Sequence, residues 1–166
     1  MAKVRLNKYI DCGDYYEVIL TNKDRKEIAR AKVDKGDVEK VKICRWGLNS
    51  TTGTTQGWVN KRMTAMHIVI LGKKDGYVTD HINHDVLDNR RSNIRHATKS
   101  QNAMNQRDVA GVYFVKRVTV KTKKWAAQIY KDGKHITLGY FLTREEATKA
   151  RREAEKKYYE EFAYRD

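Results

Sequence analysis

The sequence predicts an α+β protein in three parts. A β-rich region covers residues 1–57, a strand–loop–strand–helix core covers 58–108, and a three-stranded antiparallel sheet packed on one helix covers 109–166. Three observations predict this. Short β-branched and aromatic runs alternate with polar residues and are broken by Asn, Asp and Gly turns. Two helix-start signatures, Thr98–Gln101 and Thr143–Glu146, have the Thr-x-x-Gln/Glu form in which side chain and backbone cap each other. Asp132-Gly133 stands between two strand-like runs, where both residues suit the left-handed backbone of a tight hairpin. Proline is absent, so linkers are read from glycine, threonine and charge.

In the first part, Tyr15–Leu20 (YYEVIL) reads as a strand, with Asn22-Lys23-Asp24 as the turn after it. Ile28–Val33 alternates as a half-buried strand does. Asp34 is placed to cap a helical turn reaching about Val41. Ile43–Leu48 carries Trp46, the anchor expected for a small core, and Ser50–Gly57 (STTGTTQG) reads as a loop. Nothing here specifies chemistry. In the second part, a strand is expected from Trp58 and a short apolar helix over Thr64–Leu71. His67 lies within that helix and is held in reserve as a site residue. Gly72–Gly76 is a turn, and Tyr77–Thr79 a strand that delivers Asp80 and His81 at its end. Asp88–Asn93 is a polar loop, Ile94–Ala97 the returning strand, and a helix opens at Thr98 with Asn102 in its first turns.

In the third part, Gly111–Val118, Lys124–Tyr130 and Lys134–Phe141 are the strands, and a helix runs from Thr143 to about Phe162. Ala147, Ala150, Ala154, Tyr158 and Phe162 recur at helical spacing as its buried stripe. Val112, Phe114, Trp125, Ala127, Ile129, Ile136, Leu138 and Tyr140 alternate onto the sheet face meeting that stripe. The other face holds Tyr113, Arg117, Lys124, Gln128, Tyr130, His135 and Thr137, a polar, aromatic and basic set with no second helix to cover it. It suits an ordinary solvated face, or a sheet that reads a DNA groove with Lys and Arg on phosphates.

The formal net charge is +14, spread as +4 over 1–57, +4 over 58–110 and +6 over 111–166. A chain so uniformly basic has a polyanion as its natural partner. No apolar run approaches the roughly 20 residues of a membrane span, and no signal-peptide pattern opens the chain. Nucleic acid inside a cell is therefore the expected setting, with a cytoplasmic location. Cys12 and Cys44 lack zinc-ligand spacing and read as reduced thiols.

One stretch is written unlike a core: DHINHDVLDNRRSNIRHATKSQNAMN, Asp80 to Asn105. Phosphodiester hydrolysis takes an activated water, a Lewis acid on the phosphate and cations holding the backbone. Asp80 and Asn102 can supply hard oxygens to Mg²⁺ or Mn²⁺. His81 suits a general base that takes a proton from water. Arg90, Arg91 and Arg95 can hold phosphates. The competing reading is an asparagine-rich loop that binds its own backbone.

The same stretch resembles the HNH nuclease motif of phage and intron-encoded homing endonucleases, in the subgroup with asparagine at the third position. His81, Asn93 and Asn102 fall on the three motif positions, and the likeness covers about 58–107. The resemblance implies a ββα-metal fold with one divalent ion on Asp80 and Asn102, His81 as general base, and Asn93 holding the loop and orienting His81. Asn105 replaces Asn102 if the register slips by one helical turn. His84 is expected to face solvent. Over 111–163, GVYF, KWAAQIY, GKHITLGYF and TREEATKA resemble the APETALA2-type DNA-binding domain, known from plant transcription factors and from phage nucleases. That likeness implies a sheet entering the major groove. It leaves sequence preference open, because the arginines and tryptophans common on that face are replaced here by Tyr113, Gln128, Tyr130, His135 and Thr137. The leading expectation is thus a site-specific, metal-dependent endonuclease of double-stranded DNA, encoded by a phage or intron, working in a bacterial cytoplasm as a monomer. A non-catalytic DNA-binding regulator is the alternative. An RNA-binding protein is permitted by charge but has no aromatic RNP-type motif behind it.

Overall fold

The computed structural model describes residues 6–105, 111–115 and 125–164. The chain divides between Lys99 and Ser100 into two units. In the first, β1 (Tyr9–Asp11), β2 (Tyr15–Thr21) and β3 (Glu27–Asp34) form an antiparallel sheet in that order. A 3₁₀ turn at Lys35–Asp37 leads into α1 (Val38–Val41). A second antiparallel sheet follows from β4 (Trp46–Leu48), β5 (Thr55–Val59) and β6 (Arg62–Ala65), and then α2 (Met66–Leu71). A two-stranded ladder of β7 (Val78–His81) and β8 (Ile94–Ala97) completes the unit.

Strand alternation explains the core. Val18 and Leu20 on β2, and Ala31 and Val33 on β3, face one side and are fully buried. They join Val41, Trp46, Met66, Ile70 and Ile94 in one cluster. Trp46 is its anchor, as expected, and its indole N–H donates to the Val41 carbonyl at 2.6 Å, which satisfies the one polar group it buries. The expected boundary at 57/58 falls in the middle of β5 and inside this shared core.

Several local expectations are corrected. The loop expected over Ser50–Gly57 ends early, because Thr55, Gln56 and Gly57 pair in β5. Gly57 is required there: a Cβ would lie 2.6 Å from the Cys44 sulfur. The helix expected from Thr64 starts at Met66, because Thr64 and Ala65 pair with Gly57 and Gln56. Asp34 sits where a cap would, but its carboxylate makes no cap bond and instead accepts the Arg91 N–H at 2.7 Å.

In the second unit, α3 (Lys99–Met104) begins directly after Thr98, where the capping signature put it. The sheet of β9 (Val112–Phe114), β10 (Trp125–Lys131) and β11 (Lys134–Phe141) is antiparallel with β10 central. Asp132 and Gly133 are both left-handed (φ 49° and 80°), as a two-residue hairpin requires. On α4 (Arg144–Tyr159) the Thr143 hydroxyl accepts the Glu146 N–H at 3.1 Å, and the Glu146 carboxylate accepts the Leu142 N–H at 3.1 Å.

Two expectations about this unit fail. The buried stripe of α4 is Ala147, Arg151, Ala154, Glu155 and Tyr159, so Ala150, Tyr158 and Phe162 are only half buried. Polar residues go in because they arrive paired. Arg151 binds Glu155 at 2.8 Å and donates to the Tyr159 hydroxyl, which donates to the Tyr130 carbonyl at 3.1 Å. The helix also stops at Tyr159, where Glu160 turns left-handed (φ 50°) into a 3₁₀ turn. The second failure is Tyr140. A bulge shifts the β10–β11 register between Ala127 and Gln128, so Ala127 opposes Gly139 and Gln128 opposes Thr137. Tyr140 therefore pairs with Ala126, which also pairs with Tyr113, on the face away from α4.

Candidate active site and nucleic-acid face

Asp80 and His81 are the last residues of β7, and ladder register decides where each points. Asp80 lies opposite Arg95 and His81 opposite Ile94, a core residue. Opposed side chains share a face, so Arg95 reaches the Asp80 carboxylate, with Nε and Nη2 at 2.8 and 2.7 Å from Oδ2. Both members of the Asp-His pair are buried, at 4% and 8% exposure. Burial pushes the His81 imidazole below its ordinary value, against the opposing pull of Asn89, Asp80, Asp85 and Asp88. The ring is thereby kept neutral at pH 7, the protonation state a general base needs.

The loop after β7 is fastened at every turn. Asn93, buried at 5%, accepts the Asn83 N–H on Oδ1 at 2.9 Å and donates from Nδ2 to the Asp88 carbonyl at 2.8 Å. Its carbonyl accepts the Ile82 N–H at 2.9 Å. One carboxamide thus ties the start of the loop to its end. The outer edge of β3 holds the middle, with Lys32 N–H on the Leu87 carbonyl and Asn89 N–H on the Lys32 carbonyl. His84, expected to face solvent, is half buried instead. Its N–H closes a tight turn onto the His81 carbonyl, with a left-handed backbone (φ 63°).

The three arginines of the motif are held by carboxylates. Arg90 donates twice to Asp88 at 2.8 and 2.6 Å, and Arg91 donates twice to Asp37 at 2.6 and 2.9 Å and once to the Ile70 carbonyl. Burial raises the Asp88 pKa, but the Arg90 hydrogen bonds outweigh it and hold the acid below its usual range. The Arg91 bonds do the same for Asp37.

His67 was only a reserve candidate, yet it is the aromatic neighbour of His81. The two rings meet edge to face with centroids 5.3 Å apart. Burial, reinforced by His81, pushes the His67 imidazole down to about 4, so it too is neutral. Its placement was legible only as a histidine on a helix packed into the same core.

Asn102 is exposed on α3, in the second unit, and Asn105 is buried just past its end. Among the described residues no three His, Cys, Asp or Glu side chains group as ligands. The donors on offer are one ion-paired carboxylate and carboxamides, oxygens that fit a hard divalent ion.

On the second unit, Tyr113, Gln128, Tyr130, His135 and Thr137 share the face away from α4, as expected, while Arg117 and Lys124 lie outside the described residues. Tyr130 packs on His135 at 4.9 Å between ring centroids. Tyr113, Tyr130 and Tyr140 are each nearly half exposed. Tyr140 was missed, and the signal for it was Gly139: a glycine inside a strand marks a bulge.

Residues 66–104 match the family model described as HNH endonuclease. That segment runs from the start of α2 to the end of α3 and contains His67, Asp80, His81, Asn93 and Asn102. An HNH endonuclease domain supports nuclease activity and implies DNA as the substrate. No curated protein and no solved structure matches the chain. Among the described residues, no helix is long and apolar enough to cross a membrane.

Proposed function

We propose that the chain is a metal-dependent endonuclease of double-stranded DNA of the homing type, with His81 as general base on the attacking water. The observation that carries the reading is the buried Asp80-His81 pair at the end of β7, with the imidazole held neutral. Asp80 and Asn102 would hold one Mg²⁺ or Mn²⁺, with Asn105 as the substitute for Asn102. When bound, such an ion polarises the phosphate and stabilises the leaving oxygen. Asn93 keeps the loop closed and so fixes the direction in which His81 points. Arg95 balances the Asp80 charge, and Arg90 and Arg91 act on phosphates only by exchanging their carboxylate partners. The outer face of the second unit, in the manner of an APETALA2-type sheet, holds duplex DNA through Tyr113, Gln128, Tyr130, His135 and Thr137, with Arg117 and Lys124 on its phosphates. A single such site in a monomer favours nicking.

The Asp80–Arg95 ion pair and the shielding of His81 Nε2 from solvent favour a second reading, a DNA-binding regulator that keeps the domain as scaffold. One experiment separates the two. Long duplex DNA is incubated with the protein and Mg²⁺, Mn²⁺ or EDTA, and wild type is compared with His81→Ala. The nuclease reading expects metal-dependent breaks that disappear in His81→Ala while DNA binding is retained. Cleavage that survives His81→Ala overturns the assigned base, and binding without cleavage under any metal leaves the regulator.

A further inference from the structure

The cations of the first unit differ in whether they are partnered. Arg30, Lys40, Lys42, Arg90, Arg91 and Arg95 each have a carboxylate partner within 3 Å. Of those that make no ion pair among the described residues, Lys8, Lys23, Arg25 and Arg45 line two hollows of about 350 and 460 Å³. The hollows adjoin at Thr21 and Arg45, which line both, and together they make a basic groove with no carboxylate among its lining residues. Uncompensated positive charge in a concavity focuses the field on an incoming anion.

The groove is built, not a loose surface. Asn7 clamps the two sheets that frame it, donating from Nδ2 to the Ile19 and Trp46 carbonyls and accepting the Trp46 N–H, all within 2.9 Å. Arg45 is steadied by a 2.9 Å bond to the Thr21 hydroxyl. Trp58 and Met63 oppose each other across β5 and β6 at the rim and are 65% and 49% exposed. An indole that exposed, beside cations, is suited to pack on sugar and base edges while the cations take phosphates.

We propose that this groove is a second DNA-binding surface, which holds duplex outside the segment being cut. The proposal rests on the nuclease reading for the identity of the polyanion. It gives the N-terminal sheets a binding role as well as the scaffolding role they have under the loop. Four phosphate contacts set a definite expectation, since each neutralised phosphate adds about 0.9 to the salt slope of binding.

The test uses the full chain and a fluorescent 30-base-pair duplex of mixed sequence, with binding followed by anisotropy across a salt series. Lys8→Gln, Lys23→Gln, Arg25→Gln and Arg45→Gln combined are expected to lower the slope by about 3.6 and to weaken binding at least about tenfold at low salt. Trp58→Ala alone is expected to weaken binding several-fold with little change of slope, because its contact neutralises no phosphate. Lys23→Glu, a single exposed reversal, covers the case in which the combined variant does not fold, and is expected to weaken binding several-fold with unchanged thermal melting. An unchanged slope in folded variants overturns the proposal, as does loss confined to single-stranded DNA or RNA. The nuclease reading fails separately: cleavage by wild type with an unchanged slope sinks only the groove, and a lowered slope without cleavage by wild type sinks only the nuclease.

Discussion

The loop behind Asp80-His81 and the outer face of the C-terminal sheet are both rich in polar groups and do opposite things with them. In the loop, polar groups are turned inward: Asn93, Asp88 and Asn89 are buried, and each arginine is held by a carboxylate. On the sheet, Tyr113, Tyr130 and Tyr140 stand nearly half exposed, and Tyr130, with Gln128 and His135, borders a hollow that Ser100, Ala103 and Met104 of α3 also line. The first region spends its hydrogen bonds on shape, and the second leaves aromatic surface exposed. Charge and asparagine in a sequence therefore do not by themselves mark a binding surface. What marks it is whether the donors and acceptors already have partners.

The largest expected effect lies where the two roles meet. Replacing His81 by Ala should reduce cleavage by a factor of about 10²–10⁴, the usual worth of a general base, and change duplex affinity less than about twofold. Gel-based cleavage and anisotropy measured on the same preparation check this, and a comparable fall in both would make His81 a structural residue. Next in size is the loop itself. Asn93→Ala leaves the buried Asp88 carbonyl and the half-buried Asn83 N–H without side-chain partners, which should cost about 1–3 kcal/mol. Urea unfolding at pH 7 measures it. A cost below about 1 kcal/mol would mean that the loop is held by the β3 edge instead.

How far the sequence disclosed these roles depends on the length over which each signal is written. Alternation in β2, β3 and β10, the Asp-Gly turn and the Thr143 cap are local signals, and the structure has them where they were read, whereas alternation in β11 is broken by the bulge before Gly139. The Asp80-His81 strand end was legible for the same reason, although the ladder runs through His81 and does not stop at Thr79. The ion partners were not legible. Asp37 and Arg91 are 54 positions apart, and their pairing is set by how the β3 edge meets the loop, which no periodicity encodes. The inward turn of Arg151 and Glu155 was missed because a helical stripe is read from apolar residues, and a neutralised ion pair breaks that rule.

The neutral histidine pair gives a pH test of burial. His67 sits near 4 in the folded protein, below the ordinary value near 6.5 of an unfolded chain. As pH falls below about 6.5 the unfolded chain takes up the proton first, so unfolding gains and stability is lost. The loss stops growing once pH passes the folded value of about 4. Between pH 7 and 4.5 the first unit should lose about 2–3 kcal/mol from this group, with His81 adding in the same direction. Asp37 and Asp88, held low by their arginines, contribute only at lower pH, beneath the ordinary carboxylate value. Urea midpoints taken across this range should show the slope, and His67→Gln should flatten it. A profile that is flat in wild type would mean that His67 meets water.

The smallest effect is also the sharpest test of which sheet face is free. Because of the bulge, Tyr140 and Phe141 exchange the sides that simple alternation from Ile136 assigns them. Tyr140→Ala should then change stability by no more than about 0.5 kcal/mol, as surface substitutions do, and weaken duplex binding about threefold. Phe141→Ala, on the α4 side opposite Trp125, should cost about 1–2 kcal/mol of stability, less than a fully buried Phe because it is half buried. It should leave affinity unchanged once the folded fraction is accounted for. Thermal melts and anisotropy on the two variants decide between the faces. The opposite pattern, with Tyr140 costing stability and Phe141 costing affinity, would restore unbroken alternation and move the binding face by one residue along β11.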